Sequence, residues 1–133
     1  MTNESSFELN LEDIQVGYTK KFNIKVTDSM VNQFAEISGD YNPLHMNEEY
    51  AKTTKFNQRV CHGMLLASFF SRLVGMYIPG KNALYLTQSL KFISPCHIGD
   101  EVTVKGEVIK KSTVTRIITL KTTIEKDSDS KGS

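Results

Sequence analysis

The stretch from Gly63 to Ile78 constrains the fold more than any other part of the chain. Met64, Leu65, Leu66, Ala67, Phe69, Phe70, Leu73, Val74, Met76 and Tyr77 cover most of the circumference of a helix. A helix that is apolar nearly all round has to be buried on several sides. The stretch is broken by Arg72 and is too short to span a bilayer comfortably, so it predicts a buried central helix rather than a membrane anchor. Pro79-Gly80 predicts its end.

The flanking sequence shows what surrounds such a helix. Before it, Phe22, Ile24 and Val26 alternate with polar residues and predict a short strand with one buried face. Thr27 offers an N-cap, and Met30, Val31, Phe34, Ala35 and Ile37 follow at helical spacing, which predicts an amphipathic helix over 28–38. Gly39 is placed to end that helix in the left-handed conformation. Pro43 breaks helical continuity across 40–45, and Asn47 is placed to cap a short helix over 48–53.

After Gly80 the period changes. Three strand-like runs follow: residues 83–94, then Val102, Val104, Gly106 and Val108, then Val114 to Ile124. Gly99-Asp100 reads as a turn between strands. Strand, helices, then a run of strands is an α+β pattern, an antiparallel sheet wrapped against one central helix.

At 133 residues the chain has room for one domain, with little volume for a deep private pocket. Residues 1–125 are read as that domain and residues 126–133 as a polar, loose tail. Sixteen basic against fifteen acidic side chains give no electrostatic footprint for nucleic acid or an anionic membrane. The N-terminus has no basic start and no apolar stretch, so a secretory signal is not expected. Cys61 and Cys96 form neither a metal-type spacing nor a disulfide framework, and read as small buried hydrophobes in a reducing cytoplasm.

Three polar features interrupt the apolar pattern. Asp40 and His45 sit five residues apart across an Asn-Pro turn, on a segment expected to be irregular, where a rigid scaffold often carries catalytic groups. A carboxylate and an imidazole can hold one water between them, removing one proton and placing another. An Asp at a helix end also accepts backbone hydrogen bonds with no catalytic role, and spacing alone leaves both readings open. His62-Gly63 opens the buried helix, where the Gly63 amide has no intrahelical acceptor and can stabilise an oxyanion, or where glycine merely permits a tight entry. Ser71 lies within the helix. No Gly-x-Ser-x-Gly elbow surrounds it, so a hydrolase nucleophile is not expected. A zinc site of Asp40, His45 and His62 is set aside for want of a ligand-spacing signature. No phosphate-cradling glycine loop or dinucleotide fingerprint appears, which disfavours NAD- or ATP-dependent chemistry.

The run Phe34-Ala35-Glu36-Ile37-Ser38-Gly39-Asp40-Tyr41-Asn42-Pro43-Leu44-His45 resembles the hydratase-2 motif of MaoC-like (R)-specific enoyl-CoA hydratases. The similarity continues through Val60-Cys61-His62-Gly63-Met64-Leu65-Leu66-Ala67-Ser68, Pro79-Gly80-Lys81 and Tyr85 to Phe92, and covers about Val16 to Glu125. The resemblance implies a hot-dog fold and a catalytic dyad of Asp40 and His45 that adds water to C3 of a trans-2-enoyl-CoA, giving a (3R)-3-hydroxyacyl-CoA, or runs the reverse dehydration. It implies an oxyanion role for the Gly63 amide and substrate-binding roles for Ser71 and His62. It also implies no metal, no cofactor beyond the coenzyme A of the substrate, and a homodimer or dimer of dimers in the cytoplasm. Alternatives of the same chemistry or fold are an acyl-carrier-protein dehydratase, a hot-dog thioesterase and a non-catalytic acyl-CoA-binding module. Members of the family usually continue with one more sheet strand, and no apolar alternating segment after Glu125 supplies it.

Overall fold

A computed structural model describes residues 4–127. The elements run in the order β1 (Thr19–Lys25), α1 (Asp28–Ser38), α2 (Pro43–Met46), α3 (Glu48–Lys52), α4 (Gly63–Arg72), a π-helical segment (Leu73–Tyr77), β2 (Glu101–Ser112) and β3 (Ile117–Lys126). A short 3₁₀ turn, Leu11–Asp13, precedes them. The strands form one sheet in the order β1-β2-β3.

Backbone hydrogen bonds fix the register. The Val108 amide donates to Tyr18 O at 2.9 Å and the Val26 amide to Asp100 O at 2.9 Å, so β1 and β2 run antiparallel. The Asp127 amide donates to Glu101 O at 2.8 Å, which pairs the end of β3 with the start of β2. The ladder therefore extends through the first two residues of the stretch read as a loose tail. The rest of that tail, residues 128–133, lies outside the described residues.

The chain divides into two compact units. One holds the described residues up to Phe22 together with Ser68–Ser89 and Thr103–Ile124. Its core contains Ile14, Phe70, Leu73, Tyr77, Ile78, Val104 and Val108. Leu73 is wholly buried and lies so close to β2 that a Cβ at Gly106 would come within 2.7 Å of its Cδ2. Gly106 thus occupies an inward position of the alternating β2 pattern because nothing larger fits there. Phe7 packs edge-on against Tyr77 at 5.2 Å, and the Arg72 guanidinium lies 4.1 Å from the centre of the Phe22 ring.

The other unit holds Asn23–Ala67, Leu90–Val102 and the residues from Glu125 on. Ile24, Val26, Val31, Ala35, Ala51, Val60, Cys61, Leu65, Cys96 and Val102 form its core. Val60 and His97 pair in an isolated antiparallel bridge, and the Cys61 amide donates to Cys96 O at 2.7 Å. The two cysteines, both buried, therefore stand opposite one another. The Cys61 thiol is pushed far up by its hydrogen bond to Cys96 and then by burial, which keeps it protonated.

Local signals in the sequence are reproduced closely. Thr27 accepts from the Met30 amide at the start of α1, and Gly39 ends it at φ 82°. Asn47 accepts from the Tyr50 amide and caps α3.

Two expectations are corrected. Residues 83–94 form no strand: Leu84 and Ile93 are 81% and 83% exposed, and a strand exists only where a neighbouring edge takes its hydrogen bonds. Val114 falls in the turn between β2 and β3 instead of in a strand. The long helix is buried on several sides as its composition predicts, through Leu65, Phe70, Leu73 and Tyr77; Ser68, Ser71 and Arg72 are exposed, and after Arg72 the helix loosens into its π segment.

Candidate active site

Asp40, His45, His62 and Gly63 belong to the same unit. Asp40 follows the glycine that ends α1. Its backbone is held at both ends: its amide donates to Ser38 Oγ at 3.1 Å, and its carbonyl accepts from His62 Nε2 at 3.0 Å. The Asp40 carboxylate accepts the Asn42 amide at 3.1 Å through Oδ1, an Asx turn that aims the side chain outward. It is exposed.

Asn42 then accepts the Leu44 amide at 2.9 Å, with Pro43 as the first helical residue of α2. His45 therefore stands on one turn of helix, not on irregular backbone. Proline ends α1 but starts a new turn, because at the first helical position its missing amide hydrogen has no intrahelical acceptor to lose. The His45 ring is fixed from the far side of the unit. Its Nδ1 lies 2.6 Å from Val60 O. A carbonyl only accepts, so Nδ1 carries the proton and Nε2 keeps its lone pair.

His62 is 2% exposed. It packs against the Phe34 ring at 4.8 Å and the His45 ring at 4.1 Å between centroids. Its Nε2–H donates to the Asp40 carbonyl, and its Nδ1 is buried without a hydrogen-bond partner among the described residues. One ligand-capable atom from each of Asp40, His45 and His62 lies within 4.8 Å of the other two.

Gly63 is the first residue of α4, so its amide has no carbonyl to bond within the helix. A Cβ there would meet the Phe92 ring at 2.8 Å, which gives glycine a packing reason at this position beside any role of its amide. Ser71 is exposed on α4 and belongs to the other unit, so the structure does not bring it together with Asp40, His45 and Gly63.

Sequence reasoning missed Arg59. Its Nε donates to His45 O at 2.6 Å and its Nη2 to Asn32 Oδ1 at 3.2 Å, tying α2 to α1. The only sequence signal is a lone arginine just before an apolar pair, which does not name its acceptors.

Residues 12–129 match the MaoC like domain. The chain is 42% identical over 112 residues to an (R)-specific enoyl-CoA hydratase of Rhodospirillum rubrum, covering 84% of this chain and 78% of that protein. It is 41% identical over 116 residues to an (R)-specific enoyl-CoA hydratase of Aeromonas caviae, covering 87% of each. The solved structure of the (R)-hydratase from A. caviae involved in PHA biosynthesis superposes with a TM-score of 0.85 at 42% identity, over 86% of this chain and 87% of that one. The chain belongs to the MaoC-like domain family and has its hot-dog fold.

Proposed function

We propose that this protein is a hydro-lyase that hydrates trans-2-enoyl-CoA to (3R)-3-hydroxyacyl-CoA and runs the reverse dehydration. The observation that carries this reading is the placement of Asp40 and His45. The two side chains come from opposite ends of one Asx-Pro turn, each offering an acceptor, with the first-turn amide of Gly63, which has no intrahelical acceptor, in the same unit.

His45 Nε2 and the Asp40 carboxylate are both acceptors, and together they hold the two hydrogens of one water. The water oxygen adds to C3 of the enoyl thioester. One hydrogen leaves with the dyad and the balancing proton is delivered to C2, so nothing is oxidised or reduced. Each well-placed proton transfer of this kind contributes roughly 10²- to 10⁴-fold in rate. Negative charge develops on the thioester oxygen, and the Gly63 amide at the positive end of α4 stabilises it there. The thioester carbonyl is the electron sink, so the reaction calls for no cofactor. Ser71 assists substrate binding.

The working form is a homodimer or dimer of dimers in the cytoplasm. Ile37, Tyr41, Met64 and Phe92 in the dyad's unit are all large and exposed, and a subunit interface would cover such side chains. Among the described residues no helix is long and apolar enough to cross a membrane.

Crotonyl-CoA tests the reading. Hydration is followed as loss of the enoyl thioester absorbance, and the product is resolved on a chiral phase. A (3R) product formed faster from the CoA thioester than from the matching acyl-carrier-protein thioester is expected. An absence of hydration at micromolar enzyme, or a (3S) product, would remove the assignment. Faster turnover of the carrier-protein thioester would move it to fatty-acid synthesis.

A further inference from the structure

The buried Nδ1 of His62 has no role in the reaction described above and no hydrogen-bond partner among the described residues. An acceptor left bare in a protein interior is costly. Its neighbours suggest what satisfies it. His45 and His62 each give one ring nitrogen to a backbone carbonyl, Val60 O at 2.6 Å and Asp40 O at 3.0 Å. That arrangement fixes both tautomers and leaves His45 Nε2 and His62 Nδ1 as lone pairs. It is also the outer-shell pattern that orients imidazoles toward metal ions. The carboxylate beside them supplies a third, anionic donor, and one ligand atom of each residue lies within 4.8 Å of the others.

The geometry points to a second use of this site: Asp40, His45 and His62 bind a divalent transition-metal ion of the Zn²⁺ or Co²⁺ type, and the bound ion shuts the dyad off. Three protein donors with one position left to water is a common zinc arrangement. Ligand bonds of about 2.0–2.1 Å require donors about 3.3 Å apart in a tetrahedral site. Reaching that spacing needs the exposed Asp40 side chain to rotate and the two imidazoles, 4.1 Å apart between centroids, to part slightly about the carbonyls that hold them. The ion occupies the lone pair of His45 that otherwise accepts from water. Metal and catalytic water therefore exclude one another. The inhibitory part rests on the hydratase reading above; the binding does not.

Cobalt is the probe, because its spectrum reports the donor atoms. The full-length chain, reduced and stripped with EDTA, is titrated with Co²⁺ and followed in the visible region. A saturable ligand-field spectrum at one ion per chain is expected, without a sulfur-to-cobalt charge-transfer band. Asp40→Asn, a change at an exposed side chain that leaves the fold in place, should weaken binding by at least the roughly 10- to 100-fold that loss of an outer-shell partner costs. His62→Gln should abolish it. No ligand-field spectrum at millimolar Co²⁺, or unchanged affinity in Asp40→Asn, would overturn the site. A strong charge-transfer band would also overturn it by placing the ion on Cys61 and Cys96. Separately, Zn²⁺ should stop crotonyl-CoA hydration and EDTA should restore it. Cobalt binding with undiminished hydration overturns the inhibitory part, and a chain with no hydratase activity still reports binding in the spectrum.

Discussion

The imidazole of His62 lies 4.1 Å from that of His45, centroid to centroid, at an interplanar angle of 32°, and its far nitrogen bonds the carbonyl of Asp40. One buried ring thus touches both members of the dyad, the first through its backbone and the second through its face. Notably, no atom of His62 needs to reach substrate for its loss to disturb both.

Asp40→Asn and His45→Gln each replace one of the two groups that can take a proton from the water by an amide that cannot. Each should lower kcat by roughly 10²- to 10⁴-fold while circular dichroism and the melting temperature stay near those of the parent. Near-normal kcat in either variant would exclude that residue from the dyad.

Gly63 separates two roles by substitution. Gly63→Ala keeps the amide and pushes against Phe92, whose exposed ring can swing aside. Gly63→Pro removes the amide hydrogen at a helix position that tolerates proline. If the amide binds the oxyanion, the proline variant should lose about 10²- to 10³-fold in kcat beyond the alanine variant. Steady-state kinetics on both, with a thermal melt as control, decides; equal losses would reduce Gly63 to a packing residue.

Arg59 holds His45 through its carbonyl rather than its ring. A charged hydrogen bond of this kind is worth about 1.5–3 kcal/mol. Arg59→Ala should therefore lower the melting temperature and kcat together. Arg59→Lys should recover only part of either, because a single ammonium lacks the fork that reaches His45 O and Asn32 Oδ1 together. Full recovery by lysine would show that charge, and not the fork, matters.

Cys61 stays protonated because it donates to Cys96 and is buried. Cys61 should therefore resist a neutral-pH disulfide reagent in the native protein and react promptly in denaturant, whereas Cys96, pulled down by the hydrogen bond it accepts from Cys61, is shielded by burial alone. Release of the coloured thiolate is the readout, and rapid native labelling of Cys61 would show that this part of the unit opens.

The caps were legible in the sequence because they are local. Thr27, Gly39 and Asn47 act on amides or carbonyls within four residues, so their effect does not depend on the rest of the fold. The one-turn helix at His45 was hidden because proline closes one helix and opens another with the same bond geometry. The apolar pattern of α4 showed that much of the helix is oily, but not which positions stay uncovered. Residues 83–94 have the alternation of a strand, but alternation does not provide a neighbouring edge. In the site, Asp40 and His45 stood out by their motif. The contacts of His62 with Phe34, Asp40 and His45 and of Arg59 with Asn32 and His45 span 14 to 28 residues, and no local pattern announces them.

The bridge between Val60 and His97 bears on when the site can exist during synthesis. His45 is oriented by the Val60 carbonyl, and the Val60–Cys61 segment is in turn pinned to Cys96 and His97. A ribosome that has released only the motif-bearing third of the chain has made both side chains of the proposed dyad without the brace that aims His45. Competence should therefore appear late and abruptly, once residues beyond His97 have emerged, because long-range pairings form after local helices.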